Sequence, residues 1–340
     1  MKKGIIQRCA LLPVNVIATA VGFATLSNMW EVAAGFPSVR VVTMAIMSLV
    51  WLAAIIKMTV HYKTFKADYT LLIPSSMYAT FSMLTMLFGA FIFEYIQVAG
   101  QIVWLAGVAL HALHVCIFTY RFVLKGIVLD TFIPTWFVTY MGFMVVITSG
   151  MPFGFGPFLQ VVMIYGYIMY PVIFVGMLVR ILKRPLPGIL KPTGAIFLAP
   201  SSMFFISYLN MAPQPIDAVV VGVYIIIFIT IIRVATLIPS YLRAPFGPGL
   251  AALTFPTAIA LVSTFRVVGY LNNTGRETAA NLLNHFFGIQ LYLTTAIIAY
   301  VGYKFLFLFL DSYKPSKPPA SGNDSAAEQD KAHPGVPYKK

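Results

Sequence analysis

Long apolar stretches, separated by short polar connections, fill the chain from near its start to about residue 310. Ten of them reach the roughly 17–25 residues that a bilayer-crossing helix requires: 11–30, 37–57, 71–92, 97–120, 132–150, 157–180, 192–210, 217–238, 248–268 and 284–309. The pattern predicts an all-α integral membrane domain over 1–310, with ten transmembrane helices and no space for a soluble domain. The longest connection before the C-terminal tail, about Lys57 to Thr70, reads H-Y-K-T-F-K-A-D-Y-T over its second part and is expected to lie along the lipid headgroups. Residues 311–340 are rich in Lys, Pro, Ser, Ala and Asp and nearly free of apolar side chains. Such a segment gains too little burial to offset the entropy of ordering, so it reads as a disordered cytoplasmic tail.

A second pattern is superimposed on the first. Five prolines recur in similar surroundings: L-L-P-V-N at Pro13, L-I-P-S-S at Pro74, F-I-P-T-W at Pro134, L-A-P-S-S at Pro200 and T-F-P-T-A at Pro256. Their separations of 61, 60, 66 and 56 residues match two spanning helices with loops, which predicts five copies of one helix hairpin. A proline inside a helix removes a backbone N–H and kinks the helix, and in lipid the freed groups must find partners among neighbouring helices or water. Helices 1, 3, 5, 7 and 9 are therefore expected to face inward. Helices 2, 6, 8 and 10, with runs such as V-G-V-Y-I-I-I-F-I-T-I-I, suit a lipid-facing outer ring. Small hydroxyl residues follow the prolines, namely Ser75, Ser76, Thr135, Ser201, Ser202 and Thr257, with Asn15 in the matching place of the first copy. Each can bond a backbone group freed by the kink, pack at a helix contact, or line a polar path. L-I-P-S-Y at Pro239 has the same local look but falls out of register, at the end of helix 8.

Composition agrees with the membrane reading, with 59% hydrophobic residues, 10% charged residues and a mean hydropathy of +0.86. Of the 23 Lys and Arg, 20 fall on the N-terminal side of the ten-helix arrangement, leaving Arg40, Arg266 and Arg276 opposite. By the positive-inside rule both termini are expected in the cytoplasm, in a multi-pass protein of the inner (plasma) membrane. The net charge of +13 then reflects topology and anionic lipid, not nucleic acid. Cys9 and Cys116 are the only cysteines, so neither a disulfide nor a structural zinc site is expected. The basic start before an apolar run of about 20 residues, without a clear cleavage site, reads as an uncleaved first helix.

The proline-bearing odd helices, together with K-P-T-G-A-I-F-L-A-P-S-S (Lys191 to Ser202) and A-A-L-T-F-P-T-A-I-A (Ala251 to Ala260), resemble the tellurite-resistance and C4-dicarboxylate transporter family, which includes the plant slow-type anion channels. The resemblance covers roughly residues 5–310. It implies five helix hairpins in a pseudo-fivefold ring, with the odd helices lining a central pore, and a homotrimer with one pore per subunit. It also implies passage of small anions past a phenylalanine of the ninth helix. The matching position is Phe255, immediately before Pro256, with Phe265 as the second candidate.

The remaining chemistry is sparse. Arg233 and Arg266 are the cations nearest the interior of the predicted spans, where each can either draw anions to a pore mouth or snorkel to an interface. His111 and His114 lie one turn apart in helix 4, a spacing compatible with metal or haem, but no second pair exists and hydrogen bonding between helices is the expected use. Glu94 is the one acid well within a span, which gives little basis for proton coupling. No acidic cluster suited to magnesium and diphosphate occurs, nor a Ser/His pairing with supporting spacing, so neither catalysis nor a cofactor is expected. The reading is an anion channel or transporter whose partners are small anions and membrane lipids. A proton-coupled C4-dicarboxylate, sulfite or tellurite carrier is the alternative, ahead of a membrane enzyme. Chloride, nitrate, sulfite and dicarboxylates stay open as substrates.

Overall fold

Ten long helical segments, here α1 to α10, follow one another in the computed structural model, which describes residues 4–243 and 246–311. They are α1 Val14–Val32, α2 Pro37–Thr59, α3 Leu72–Phe93, α4 Gln97–Leu124, α5 Trp136–Phe153, α6 Gly156–Lys183, α7 Leu190–Met211, α8 Asp217–Arg243, α9 Pro248–Asn273 and α10 Glu277–Asp311. Nine of these, α2 to α10, are long and apolar enough to cross a membrane among the described residues. The first helix, α1, has 19 residues and carries Asn15, Asn28 and Glu31. The protein is thus an all-helical, multi-pass membrane protein. The contacts described below lie within the compact unit that runs to Tyr303. The tail expected over 311–340 lies outside the described residues, save for Asp311.

Burial separates the passes into two classes. In α3, α5, α7 and α9, 72–78% of the most apolar window is buried, against 17–33% in α2, α4, α6, α8 and α10. Twelve of the 19 residues of α1 are buried, which puts it with the odd helices. The exposed faces of the even helices carry Val, Ile, Leu and Phe, such as Val161, Ile164, Ile168 and Val172 along α6. In lipid such a face loses nothing by exposure, whereas the polar and irregular segments must be enclosed. Contacts between buried helices run in a closed order: α1 packs on α3, α3 on α5, α5 on α7, α7 on α9, and α9 on α1.

The prolines do not kink the middles of helices, as the sequence pattern predicts. Each one stands at or just before the first turn of an α-helical segment. Pro13 is the N-cap of α1, and Pro134 lies in the turn before Trp136. Pro74, Pro200 and Pro256 are the third residues of the segments Leu72–Met77, Leu198–Met211 and Thr254–Asn273. A first-turn N–H has no intrahelical acceptor, so proline costs no hydrogen bond there. What precedes each proline, or soon follows it, is irregular. A short helix Ile5–Cys9 ends in a break before Pro13, α3 is interrupted at Tyr78, and α5 alternates between α and 3-10 turns. The first turns of α7 and α9 are 3-10 over Gly188–Phe197 and Pro248–Leu253. The even helices run on through such motifs; Pro239, for example, is inside α8.

Backbone carbonyls near these irregularities are capped by neighbours. Lys57 Nζ donates to Leu12 O at 2.7 Å, next to Pro13, while pairing with Asp68 at 2.6 Å on the surface helix Tyr62–Thr70. Tyr241 of α8 donates to Lys191 O in the 3-10 segment of α7 (3.1 Å). Arg121 closes the surface helix by donating to Tyr69 O (2.6 Å) and Thr70 O (3.1 Å). At the opposite face Arg40 ties together Glu31 and Glu94, the latter at 2.6 Å, which accounts for the acid at the end of α3.

The approach of α1 to α9 depends on Gly22, where a Cβ would stand 2.8–2.9 Å from Thr254 and the backbone of Phe255. Gly22→Val is expected to destabilise the fold by about 1–3 kcal/mol through overpacking. Thermal unfolding of the detergent-purified protein checks this, with Gly222→Ala, a position facing open space, expected to be neutral.

Candidate functional site

All five buried helices contribute to one narrow cavity. It measures about 30 Å³ open to the centre of a water-sized sphere, space for about two waters. From α1 comes Ala18, from α3 Met77, Thr80 and Met83, and from α5 Phe137, Val138, Met141 and Gly142. The 3-10 to α junction of α7 supplies Ile196, Ala199 and Met203, and that of α9 supplies Ala251, Ala252, Phe255 and Pro256. Thr80 is the single polar side chain in this lining, and its hydroxyl already donates to Met77 O at 2.7 Å. A small anion here would lose its hydration without a replacement, so a wall of this kind blocks ions by both size and dewetting.

The residues singled out by the sequence fall into distinct places. Phe255, 9% exposed, and Pro256 line the cavity. Pro13, Pro74, Pro134 and Pro200 stand at the helix starts described above, outside the lining. Among the hydroxyls, Ser76 donates to Ile73 O (2.9 Å), Ser201 bonds the Tyr170 hydroxyl (3.0 Å), and Thr257 donates to Leu253 O (2.6 Å) and Thr254 O (3.0 Å). Ser75, Thr135 and Ser202 are fully enclosed and their hydroxyls have no hydrogen-bond partner among the described residues. Asn15, in the first turn of α1, accepts the Thr19 hydroxyl at its backbone carbonyl (3.0 Å). Phe265 packs with Phe287 of α10 (ring centroids 5.5 Å apart) beside the cluster of Leu26, Met29, Leu261 and Leu291. Arg233 lies on the exposed side of α8, outside both cavities described here.

Sequence reasoning missed Phe137 and the four methionines of the wall. A signal was present: Met77, Phe137 and Met203 each sit three residues after the recurring proline. Three residues past a helix start is nearly one full turn, so the same face recurs in these three copies, whereas Val16 and Ile259, the matching residues after Pro13 and Pro256, stay outside the lining.

A buried polar network lies directly behind the wall. A Cβ at Gly142 would stand 3.1 Å from His111 Cε1. His111 Nε2 donates to Thr139 O at 2.9 Å, since a carbonyl only accepts, and its Nδ1 meets Ser82 Oγ at 2.8 Å. Thr139 Oγ1 donates to Ser76 O (3.4 Å), so His114 Nε2 donates to Thr139 Oγ1 (3.3 Å) and His114 Nδ1 accepts from the Tyr69 hydroxyl (2.7 Å). Burial pushes Tyr69 up to about 12, against the opposing charge of Arg121, which keeps the phenol protonated as that donor. The histidine pair therefore joins α3, α4, α5 and the surface helix by hydrogen bonds.

The class of this helical membrane protein, whose buried helices converge on a narrow apolar cavity, is that of the channels and transporters of its family. The particular family is settled by sequence: the model of the SLAC1 family, voltage-dependent anion channels, matches residues 12–305, and the chain belongs to that family. The resemblance carried by the Lys191–Ser202 and Ala251–Ala260 segments is thereby established. A search of curated proteins returned no match.

His111→Ala leaves Ser82 with its bond to Ala79 O (2.7 Å) but takes the imidazole donor from the buried Thr139 carbonyl, at about 1–3 kcal/mol, and unties α3 from α4 at Ser82. The expected result is a clearly lowered unfolding temperature in detergent, partly restored in His111→Gln, whose amide still reaches the carbonyl.

Proposed function

We propose that this protein passes small anions along the axis enclosed by α1, α3, α5, α7 and α9, through a pore that the Phe255 ring closes. The observation that carries this reading is the cavity itself. Five helices from five hairpins meet around it, and their contacts close in a cycle. In this reading the hairpins form the pseudo-fivefold ring of ten spans, and the even helices present their apolar faces to lipid or to sister subunits of a homotrimer. The basic N-terminal side is cytoplasmic, in the plasma (inner) membrane, and the residues after 311 form a cytoplasmic tail. Membership of the anion-channel family supports the substrate class.

Phe255 is suited to gating by its position. It stands at the junction of the 3-10 and α segments of α9, one residue before Pro256, where the helix register changes. A small rotation there swings the ring without breaking the rest of the helix. Ser75, Thr135 and Ser202, whose buried hydroxyls have no hydrogen-bond partner among the described residues, are donors available to a hydrated anion once the constriction widens. Leaving each unsatisfied costs about 1–3 kcal/mol, a cost that contact with water or an ion relieves.

A proton-coupled carrier is the second reading, favoured by the placement of His111 directly behind Gly142 of the wall. Reversal potentials separate the two. A potential set by the anion gradient alone fits a channel, and one that follows the pH gradient fits the carrier.

Phe255→Ala is expected to raise anion conductance by about tenfold or more in planar bilayers, which requires the barrier to fall by only about 1.4 kcal/mol. Unchanged conductance with normal expression refutes the gating role.

A further inference from the structure

A second cavity, of about 760 Å³, opens at the face opposite the N-terminus, between the outer ends of α7, α9 and α10 and the connection after α7. Its polar lining consists of Arg266, Tyr270, Thr274 and the amides of Asn272, Asn273, Asn281 and Asn284, without a carboxylate among the described residues. Glu277, one turn before Asn281, does not line it.

Three arginines lie on this face, and two are neutralised. Arg40 is held by Glu31 and Glu94. Arg276 is held by Asp217, whose carboxylate also accepts the Tyr270 hydroxyl. Arg266 has no ion pair among the described residues; its guanidinium donates to the neutral Asn210 side chain. Helix geometry then relates Arg266 to the constriction. It follows Phe255 by 11 residues, which at 100° per residue returns to within about 20° of the same face, about 16 Å further along α9. Asn210 follows Met203 of the wall by seven residues, again within about 20°. The Arg266–Asn210 contact therefore continues the two cavity-facing stripes of α7 and α9 outward.

We propose that Arg266 and the surrounding asparagine amides form an anion-recruiting site at the outer mouth, selective for the planar oxygen face of nitrate or a carboxylate over a spherical halide. The inference rests on the pore reading given above. A guanidinium offers parallel N–H donors that match two oxygens of one planar group, and amide N–H groups extend that donor set. The basis is also the pairing: among the described residues, Arg40 and Arg276 of this face have carboxylate partners and Arg266 has none. Nitrate and carboxylates share the chemistry, and the test compares them.

The test measures current through the full-length protein in oriented bilayers as nitrate, succinate or chloride is raised on the Arg266 face. For Arg266→Gln, the half-saturating concentration of nitrate and succinate should rise by about tenfold or more, the expected loss of a charge-assisted hydrogen bond. Chloride should shift much less, and titration from the other face should be unchanged. Nitrate shifting without succinate assigns the site to inorganic oxyanions, and the converse to carboxylates; either supports the planar class. Asn210→Asp, which supplies Arg266 with a carboxylate while keeping its side chain, should reproduce the loss even if Arg266→Gln folds poorly. An unchanged half-saturation in both variants, or equal shifts for nitrate and chloride, overturns the proposal. A binding measurement separates it from the pore reading: nitrate should raise the unfolding temperature of wild type and not of Arg266→Gln in detergent. Absence of any wild-type current overturns conduction alone, and absence of nitrate protection overturns the site.

Discussion

In a hydrocarbon environment a backbone N–H or C=O without a partner costs several kcal/mol, because no water is there to take it up. The breaks in the buried helices are arranged around that constraint. The broken helices α3, α5, α7, α9 and the start of α1 are enclosed, while the even-numbered helices form the exposed layer. The carbonyls near the breaks are held by side chains from adjacent elements, Lys57 on Leu12, His111 on Thr139 and Tyr241 on Lys191. A closed order of helices follows, since each broken segment needs neighbours on both sides.

The same constraint determines what the centre can be. The five buried helices place Ala, Met and Phe side chains around a shared cavity, with little room between them. The wall is apolar because polar groups near it are already used in holding helices to one another, as in the network of Ser82, His111, Thr139 and His114. Methionine suits such a lining: it is flexible and unbranched, so it fills an irregular gap yet yields when the gap changes shape. Phe255 differs from its neighbours in being rigid, bulky and placed where one helix type passes into another.

Much of the architecture was legible in the chain itself, and for identifiable reasons. A bilayer imposes a length on apolar stretches, so the passes could be read to within a few residues over most of the chain. The last one was the exception: its helix begins at Glu277, seven residues before the predicted 284, because the polar start of α10 belongs to the outer connection. The proline repeat correctly marked the buried set but misplaced the structural role. The residues were expected to kink helices in their middles, and they begin α-helical segments instead. A proline in sequence excludes a donor; it does not say whether the preceding segment is helical.

The sequence by itself determined the membrane class, the long apolar helices and the family, because these depend on local length, pattern and neighbours. Only the tertiary structure decided which atoms face one another. It put Met77, Phe137 and Met203 in the cavity lining beside Phe255, directed the Ser76, Ser201 and Thr257 hydroxyls to bonds of their own, and left the Ser75, Thr135 and Ser202 hydroxyls without partners among the described residues. It also separated Arg233, on an exposed helix face, from Arg266, in an amide-lined cavity. A helix turns 100° with each residue, so moving one position along the chain changes which neighbour a side chain meets, and that direction is set by packing between segments far apart in sequence.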